Sequence, residues 1–352
     1  MNTFNQIPLS RDELIFGVLI LFLTTFLVAE SRWSRLYNDY AISSDKSVHI
    51  FLDDQTNIDT LSRMLADSGL VSDKSELLWA ANLLGWQRFQ QGHYHVKEGF
   101  TYDAFLSKLA RGIQDPVKVT ILPGQTKERI AGAVSGQLQF DSLSFQQTIT
   151  DTAFLQKNNL DPKEVIGRLY PNTYSVYWTT GPESFFERVQ REFNRSVVAP
   201  NKQRFRELDR SVNEILALAS IVEWEASTES EKAIISGLYW NRLERGMRLQ
   251  ADPTVNYAVG ERRRLLFEDY KIDHPYNTYI HRGLPPGPIT NPSKKSIEAA
   301  LYPADHDYLY MVASPDGTHS FSRTFEEHKR KSAEWREWIQ KQYRIKRQRN
   351  SE

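Results

Sequence analysis

Cysteine is absent from the 352 residues. That excludes disulfides, cysteine nucleophiles and thiolate metal sites. It is compatible with an envelope protein that needs no oxidative folding. Net charge is also absent: 44 Lys and Arg balance 44 Asp and Glu. No nucleic-acid footprint is therefore expected. The eight histidines show no H-E-x-x-H or comparable spacing, so no metal site is expected. No Ser, Cys or Lys stands in a nucleophile motif and no Gly-rich phosphate loop is present, so no cofactor is called for. What the chain does have is aromatic side chains, 8 Trp, 16 Tyr and 18 Phe. They suit sugar stacking and equally a large core.

One long apolar run breaks the otherwise mixed pattern. Leu14 to Ala29 reads LIFGVLILFLTTFLVA without a charge. With flanking residues it reaches the length of a membrane span, and Trp33 and Tyr37 follow where interfacial aromatics belong. A cleaved signal peptide ending near Ala29-Glu30-Ser31 is the competing reading, but only Arg11 stands before the run, beside Asp12 and Glu13. A retained anchor is expected. Arginines on both sides leave its orientation open.

Residues 1–13 read as a short N-terminal tail, 14–29 as the span and 30–46 as a polar stalk. Residues 47–134 form a small αβ module, 135–345 the main domain and 346–352 a basic tail. In the module, VHIFL at 48–52 and HYHV at 93–96 are expected strands. Helices are expected from Ile58, over Ser75 to Gln90, and from a Thr101 cap, with a turn at Glu98-Gly99. VKVTIL and Pro123-Gly124-Gln125-Thr126 faintly echo VHIFL and Asp54-Gln55-Thr56, which suggests a repeated strand–turn–helix unit or chance. Further on, Thr228 and Glu231 read as a capping box opening a helix that ends at Gly246. Asp252-Pro253 and Asn291-Pro292 read as N-cap and N1 pairs. A hairpin joins 307–313 to 319–322, and a charged helix runs from Phe325 to about Tyr343.

The chemistry is concentrated in one helix. Leu208 to Ala226 is apolar nearly all round over Ile215–Val222, which marks burial, and Glu223 and Glu225 stand at its end. A buried carboxylate has its pKa raised, and a glutamate kept protonated near neutral pH is a general acid. Hydrolysis of a glycosidic bond uses two such carboxylates. One suffices if the sugar's own 6-hydroxyl attacks C1, because the attack is then intramolecular. On the helical wheel Glu223 lies on the buried face of Leu216 and Ala219, and Glu225 points away.

Several strings carry a resemblance: YPNTY at 170–174, LASIVEWEAS at 218–227, GLYWNRLERGMRLQADPTVNYAVG at 237–260, HPYNTYIHRGLPPGPITNPSKKSIEAALYPADHDYLYMVA at 274–313 and GTHSFSRTFEEH at 317–328. The sequence resembles the endolytic murein transglycosylases, the MltG/YceG-like family of bacterial cell-wall enzymes. The resemblance implies an α+β fold with a membrane anchor, a LysM-like module and a C-terminal mixed α/β catalytic domain. It implies cleavage of MurNAc–GlcNAc bonds within nascent peptidoglycan strands, 1,6-anhydro ends, a role in terminating glycan elongation, and contact with penicillin-binding proteins. It places the bulk of the chain outside the plasma membrane. It makes Glu225 the acid/base. Glu223, Asn241, Gln250, Asp252, Thr254, Tyr257, Tyr276, Asn277, Thr278 and Tyr279 become candidates for the substrate cleft. The rival readings are a hydrolase with Glu223 or Asp252 as second carboxylate, and a non-catalytic glycan-binding scaffold. The sequence departs from the family pattern at Trp224, where lysine is common, at Asn172 for aspartate, and at Lys232 for arginine. Without a lysine at 224, the upward shift at Glu225 is expected to stand unopposed from that position.

Overall fold

The computed structural model describes residues 10–37, 40–42, 47–71, 73–97 and 99–349. The chain divides into two compact units, one of residues 1–117 with 177–179, the other of 118–176 with 180–352. The architecture is α+β, with one N-terminal apolar helix and, among the described residues, four two-stranded sheets.

In the first unit the apolar helix spans Arg11–Tyr37, 27 residues, long and apolar enough to cross a membrane. Residues 30–37, expected in a stalk, continue this helix. Leu36 is buried, Arg35 pairs with Glu76, and its guanidinium lies 3.9 Å over the Trp79 ring. Helix geometry therefore wins over the polar composition of this stretch because its last turn packs on protein. Residues 38–39 and 43–46, and Glu98 of the expected turn, lie outside the described residues. Val48–Leu52 pairs antiparallel with Gly92–Val96, Ile50 opposite Tyr94. Ile50 and Leu52 face the core on alternate positions. The helices Ile58–Asp67, Lys74–Leu84 and Tyr102–Ala110 supply Leu61, Leu65, Leu77, Phe105 and Leu109 to that core. Asn57, Asp73 and Thr101 cap them through their side chains. The middle helix stops at Leu84, before the expected Gln90, because Gly85 takes φ +76 as its cap.

In the second unit Pro116–Ile121 pairs with Asn172–Tyr177. The echoed strand thus joins a different sheet from Val48–Leu52. The helix Lys127–Ser135 packs on Ser142–Thr150. At the centre lies the helix Val212–Glu225, with Ile215 to Val222 all buried. It packs against Lys232–Glu244, Asp252–Val259 and Lys294–Leu301. A capping box opens it, Ser211 with Glu214. The expected box at Thr228 and Glu231 is not formed. A single 3-10 turn over Glu229–Glu231 precedes the next helix, and Glu231 Oε1 instead accepts the His319 amide at 2.6 Å. Asp252 is the first residue of its helix, not its cap. Ser293, not Asn291, caps Lys294–Leu301. The Asn291 side chain is buried and donates to the Leu122 and Leu169 carbonyls at 2.9 and 3.1 Å. The strands Tyr310–Ala313 and His319–Ser322 form the hairpin, and the final helix spans Phe325–Arg349.

Candidate functional site

The two glutamates of the central helix leave it in different directions and meet different chemistry. Glu223 Oε2 accepts from Ser293 N at 3.0 Å, Ser293 Oγ at 2.6 Å, Ser296 Oγ at 2.5 Å and Lys232 Nζ at 3.2 Å. Burial alone would raise its pKa. The serine hydrogen bonds, then the lysine charge, outweigh burial and hold it below the usual carboxylate range. Glu223 therefore stays ionised and fastens the central helix to the N-terminus of Lys294–Leu301.

Glu225 is the last residue of the helix and lines an open cavity of about 500 Å³ with Trp224, Asp252, Asn256 and Arg262 to Arg264. Among the described residues its carboxyl has no hydrogen-bond partner. Burial pushes its pKa up to about 7, the Asp252 charge adds to the rise and Arg242 opposes it. The shift is thus opposed, and by a cation that position 224 does not supply. The opposing guanidinium is buried. Its Nε donates to the Leu309 carbonyl and an Nη to the Leu249 carbonyl, both at 2.6 Å.

Asp252 is held by two phenols. Tyr279 donates to its Oδ1 at 2.6 Å and Tyr270 to its Oδ2 at 3.3 Å. Burial raises the pKa of both phenols, Tyr270 to about 12, and the Asp252 charge reinforces it. Tyr239 is buried beside Glu225 and Arg242, and burial holds its phenol well above the usual range.

The remaining candidates divide by what their polar atoms touch. Asn241 Nδ2 donates to the His306 and Tyr308 carbonyls at 2.6 and 3.1 Å, so it ties the helix Lys232–Glu244 to the segment before the hairpin. Thr254 and Thr278 are buried with hydroxyls 2.8 Å apart. Asn277 is buried and donates to the Tyr270 and Ile272 carbonyls. The two threonines bind the 270–279 loop to the start of the helix Asp252–Val259, and Asn277 braces that loop internally. Tyr276 is buried and its ring lies 4.5 Å from that of Tyr257. Tyr257 lines a second cavity, of about 780 Å³. Gln250 is exposed with φ +50, a strained value for a side chain with a Cβ. The two cavities share Trp224, Asn256 and Arg262. Trp224 Nε1 donates to the Gly124 carbonyl at 3.0 Å, and Gly124 sits at φ +70, where glycine is favoured.

Tyr239, Arg242 and Tyr270 were not singled out from the sequence. Tyr239 and Arg242 stand three apart on one helix face, a spacing visible in YWNRL. No local signal marks Tyr270.

This arrangement can hold a proton at neutral pH on a carboxyl that has no hydrogen-bond partner among the described residues and faces an open, polar cavity. That is a site of the acid–base class. Residues 50–334 match the YceG-like family. The chain is 31% identical over 307 residues to the endolytic murein transglycosylase of Bacillus subtilis (strain 168), covering 81% of this chain and 84% of that one. Identity is 30% over 329 residues to the endolytic murein transglycosylase of Streptococcus pneumoniae serotype 2, of whose length it spans 59%. The crystal structure of a YceG-like protein from Listeria monocytogenes superposes with a TM-score of 0.58 at 29% identity, over 82% of this chain and 99% of that one. The chain belongs to the YceG-like family.

Proposed function

We propose that the protein is a membrane-anchored endolytic murein transglycosylase, with Glu225 as its single acid and base. The observation that carries this reading is a carboxyl brought to about 7, facing an open cavity and hydrogen-bonded by no other side chain among the described residues. At neutral pH a large fraction carries the proton. Glu225 gives it to the oxygen linking MurNAc to GlcNAc as that bond breaks. The MurNAc 6-hydroxyl then attacks C1 and returns its proton to the Glu225 carboxylate. The enzyme is regenerated, and the product ends in a 1,6-anhydro sugar. The Asp252 charge favours the protonated acid at the start, and Arg242 favours the carboxylate left after proton transfer. Both act on the one residue that must do both steps.

The rest of the reading follows the family. The helix Arg11–Tyr37 anchors the chain in the plasma membrane with the remainder outside it. The module at 47–134 is LysM-like and holds glycan, 135–345 is the catalytic domain, and cleavage of nascent strands terminates elongation alongside penicillin-binding proteins. Asn241, Gln250, Thr254, Tyr257, Tyr276, Asn277, Thr278 and Tyr279 shape or line the cleft.

A second reading rests on Asp252, which shares the cavity with Glu225 and would serve as second carboxylate of a hydrolase. Mass spectrometry of products from purified sacculi separates the readings. Anhydro ends support the transglycosylase. Reducing ends support the hydrolase, and no released fragments would leave only a glycan-binding scaffold.

A further inference from the structure

The larger cavity holds three cations, Lys127, Arg129 and Arg262. Among the described residues, none of the three forms an ion pair. Its two carboxylates do little to neutralise them. Glu261 is exposed and lies 3.6 Å from Arg263 Nε. Glu128 is exposed beside Lys127 in sequence. Arg262 lies over the Trp224 ring at 5.2 Å and reaches the Trp224 carbonyl at 3.5 Å. Lys127 is partly buried. Burial holds its amine below the usual lysine range, and Glu128 only partly restores it. A partly desolvated ammonium that forms no ion pair among the described residues gains from an arriving anion.

Position decides which anion. This cavity shares Trp224, Asn256 and Arg262 with the Glu225 cavity, so a strand lying across Glu225 runs on into it. Such a strand is neutral along its sugars. Its negative charge sits on the carboxylates of the peptide stems carried by the muramyl lactyl groups. We infer that Lys127, with Arg262 lining the same cavity, forms a subsite for a peptide-stem carboxylate of the glycan bound at Glu225. This rests on the transglycosylase reading for the identity of the glycan. The subsite selects strands by stem charge and takes no part in proton transfer.

The test uses the full-length protein in detergent and two sets of glycan strands. One set bears stems with free carboxylates, the other the same stems with those carboxylates amidated. Dissociation constants are measured by direct binding, and kcat/KM by product release. Wild type is expected to favour the acidic strands roughly 10-fold in both, as for one charge-assisted hydrogen bond. Lys127→Gln should erase the preference and leave the amidated strands as before. Lys127→Arg should keep it. Equal affinity of wild type for both strands overturns the subsite, as does a Lys127→Gln chain that loses equally on both. A binding preference without any cleavage would keep the subsite and remove the transglycosylase reading instead.

Discussion

Tyr279 donates its hydroxyl to Asp252 Oδ1 at 2.6 Å, and the carboxylate it steadies raises the pKa of Glu225. The two relations belong together. A carboxylate fixed by two phenols keeps its charge in one place, and a like charge nearby disfavours ionisation of its neighbour. Asp252→Asn removes that charge and keeps an acceptor for Tyr279. The alkaline limb of the activity profile, expected near 7 in wild type, should move to lower pH. The measurement is initial rate against pH on isolated strands. A limb that stays in place, or moves up, would refute the coupling.

Glu225→Gln should keep the fold and abolish strand cleavage. General acid–base catalysis contributes about 10²–10⁴-fold, and here one group serves both steps. The same variant has a signature in stability. The folded-state pKa of Glu225 is raised, to about 7. Its contribution is therefore fully present below the unfolded value and lost as pH rises through the folded one. Glutamine has no charge to bury. The Tm of Glu225→Gln should thus match wild type near pH 4 and exceed it above pH 7. A Tm gap that is constant across this range would show that Glu225 is not desolvated.

The central helix and its two glutamates were legible because burial leaves a local mark, an apolar run from Ile215 to Val222. The wheel separated the two glutamates in direction, since 100° per residue is set by backbone geometry alone, but it set Glu225 off the buried face, whereas burial is what raises its pKa in the fold. What each one meets was not legible. Glu223 finds three of its four donors 70 and more residues on, at Ser293 and Ser296. Arg242 was hidden for a similar reason: it is a charged residue in a polar stretch until the Leu309 carbonyl closes on it. Caps were misread where a stronger partner competed. Glu231 bonds the His319 amide, and Asp252 turns to two tyrosines. Asn241, Asn277 and Thr278 became cleft candidates through the family resemblance. Their side chains instead satisfy buried backbone groups, which is what buried amides and hydroxyls ordinarily do.

The end of the apolar helix is expected to be part of the first unit's stability as well as its tether. Leu36, Ala41 and Ile42 are buried, and Arg35 pairs with Glu76. A chain beginning at Ser31 should therefore be more stable than one beginning at residue 43. Burying an aliphatic side chain contributes about 1.5–3 kcal/mol. Calorimetry of the two truncated chains makes the comparison. Both should cut isolated strands, because Glu225 and its neighbours lie in the other unit. Equal Tm values for the two chains would show that the helix end contributes only length.

Glu223 should prove to be a residue of stability and not of turnover. Its oxygen accepts from two serine hydroxyls, a backbone amide and Lys232. Glu223→Gln keeps the shape and loses the charge, so each of these bonds weakens. A loss of about 1.5–3 kcal/mol is expected near neutral pH, the scale for hydrogen bonds to a charged group. The sign of the pH dependence is opposite to that of Glu225. The folded pKa of Glu223 is lowered, so its contribution is present above the unfolded value and disappears as pH falls through the folded one. The Tm difference between Glu223→Gln and wild type should accordingly shrink on acidification, while it is largest at pH 7. At temperatures where both are folded, the variant should retain most of its kcat, because the side chain faces Lys294–Leu301 and not the Glu225 cavity. A variant with unchanged Tm and no activity would reverse the assignment and make Glu223 the second carboxylate of a hydrolase.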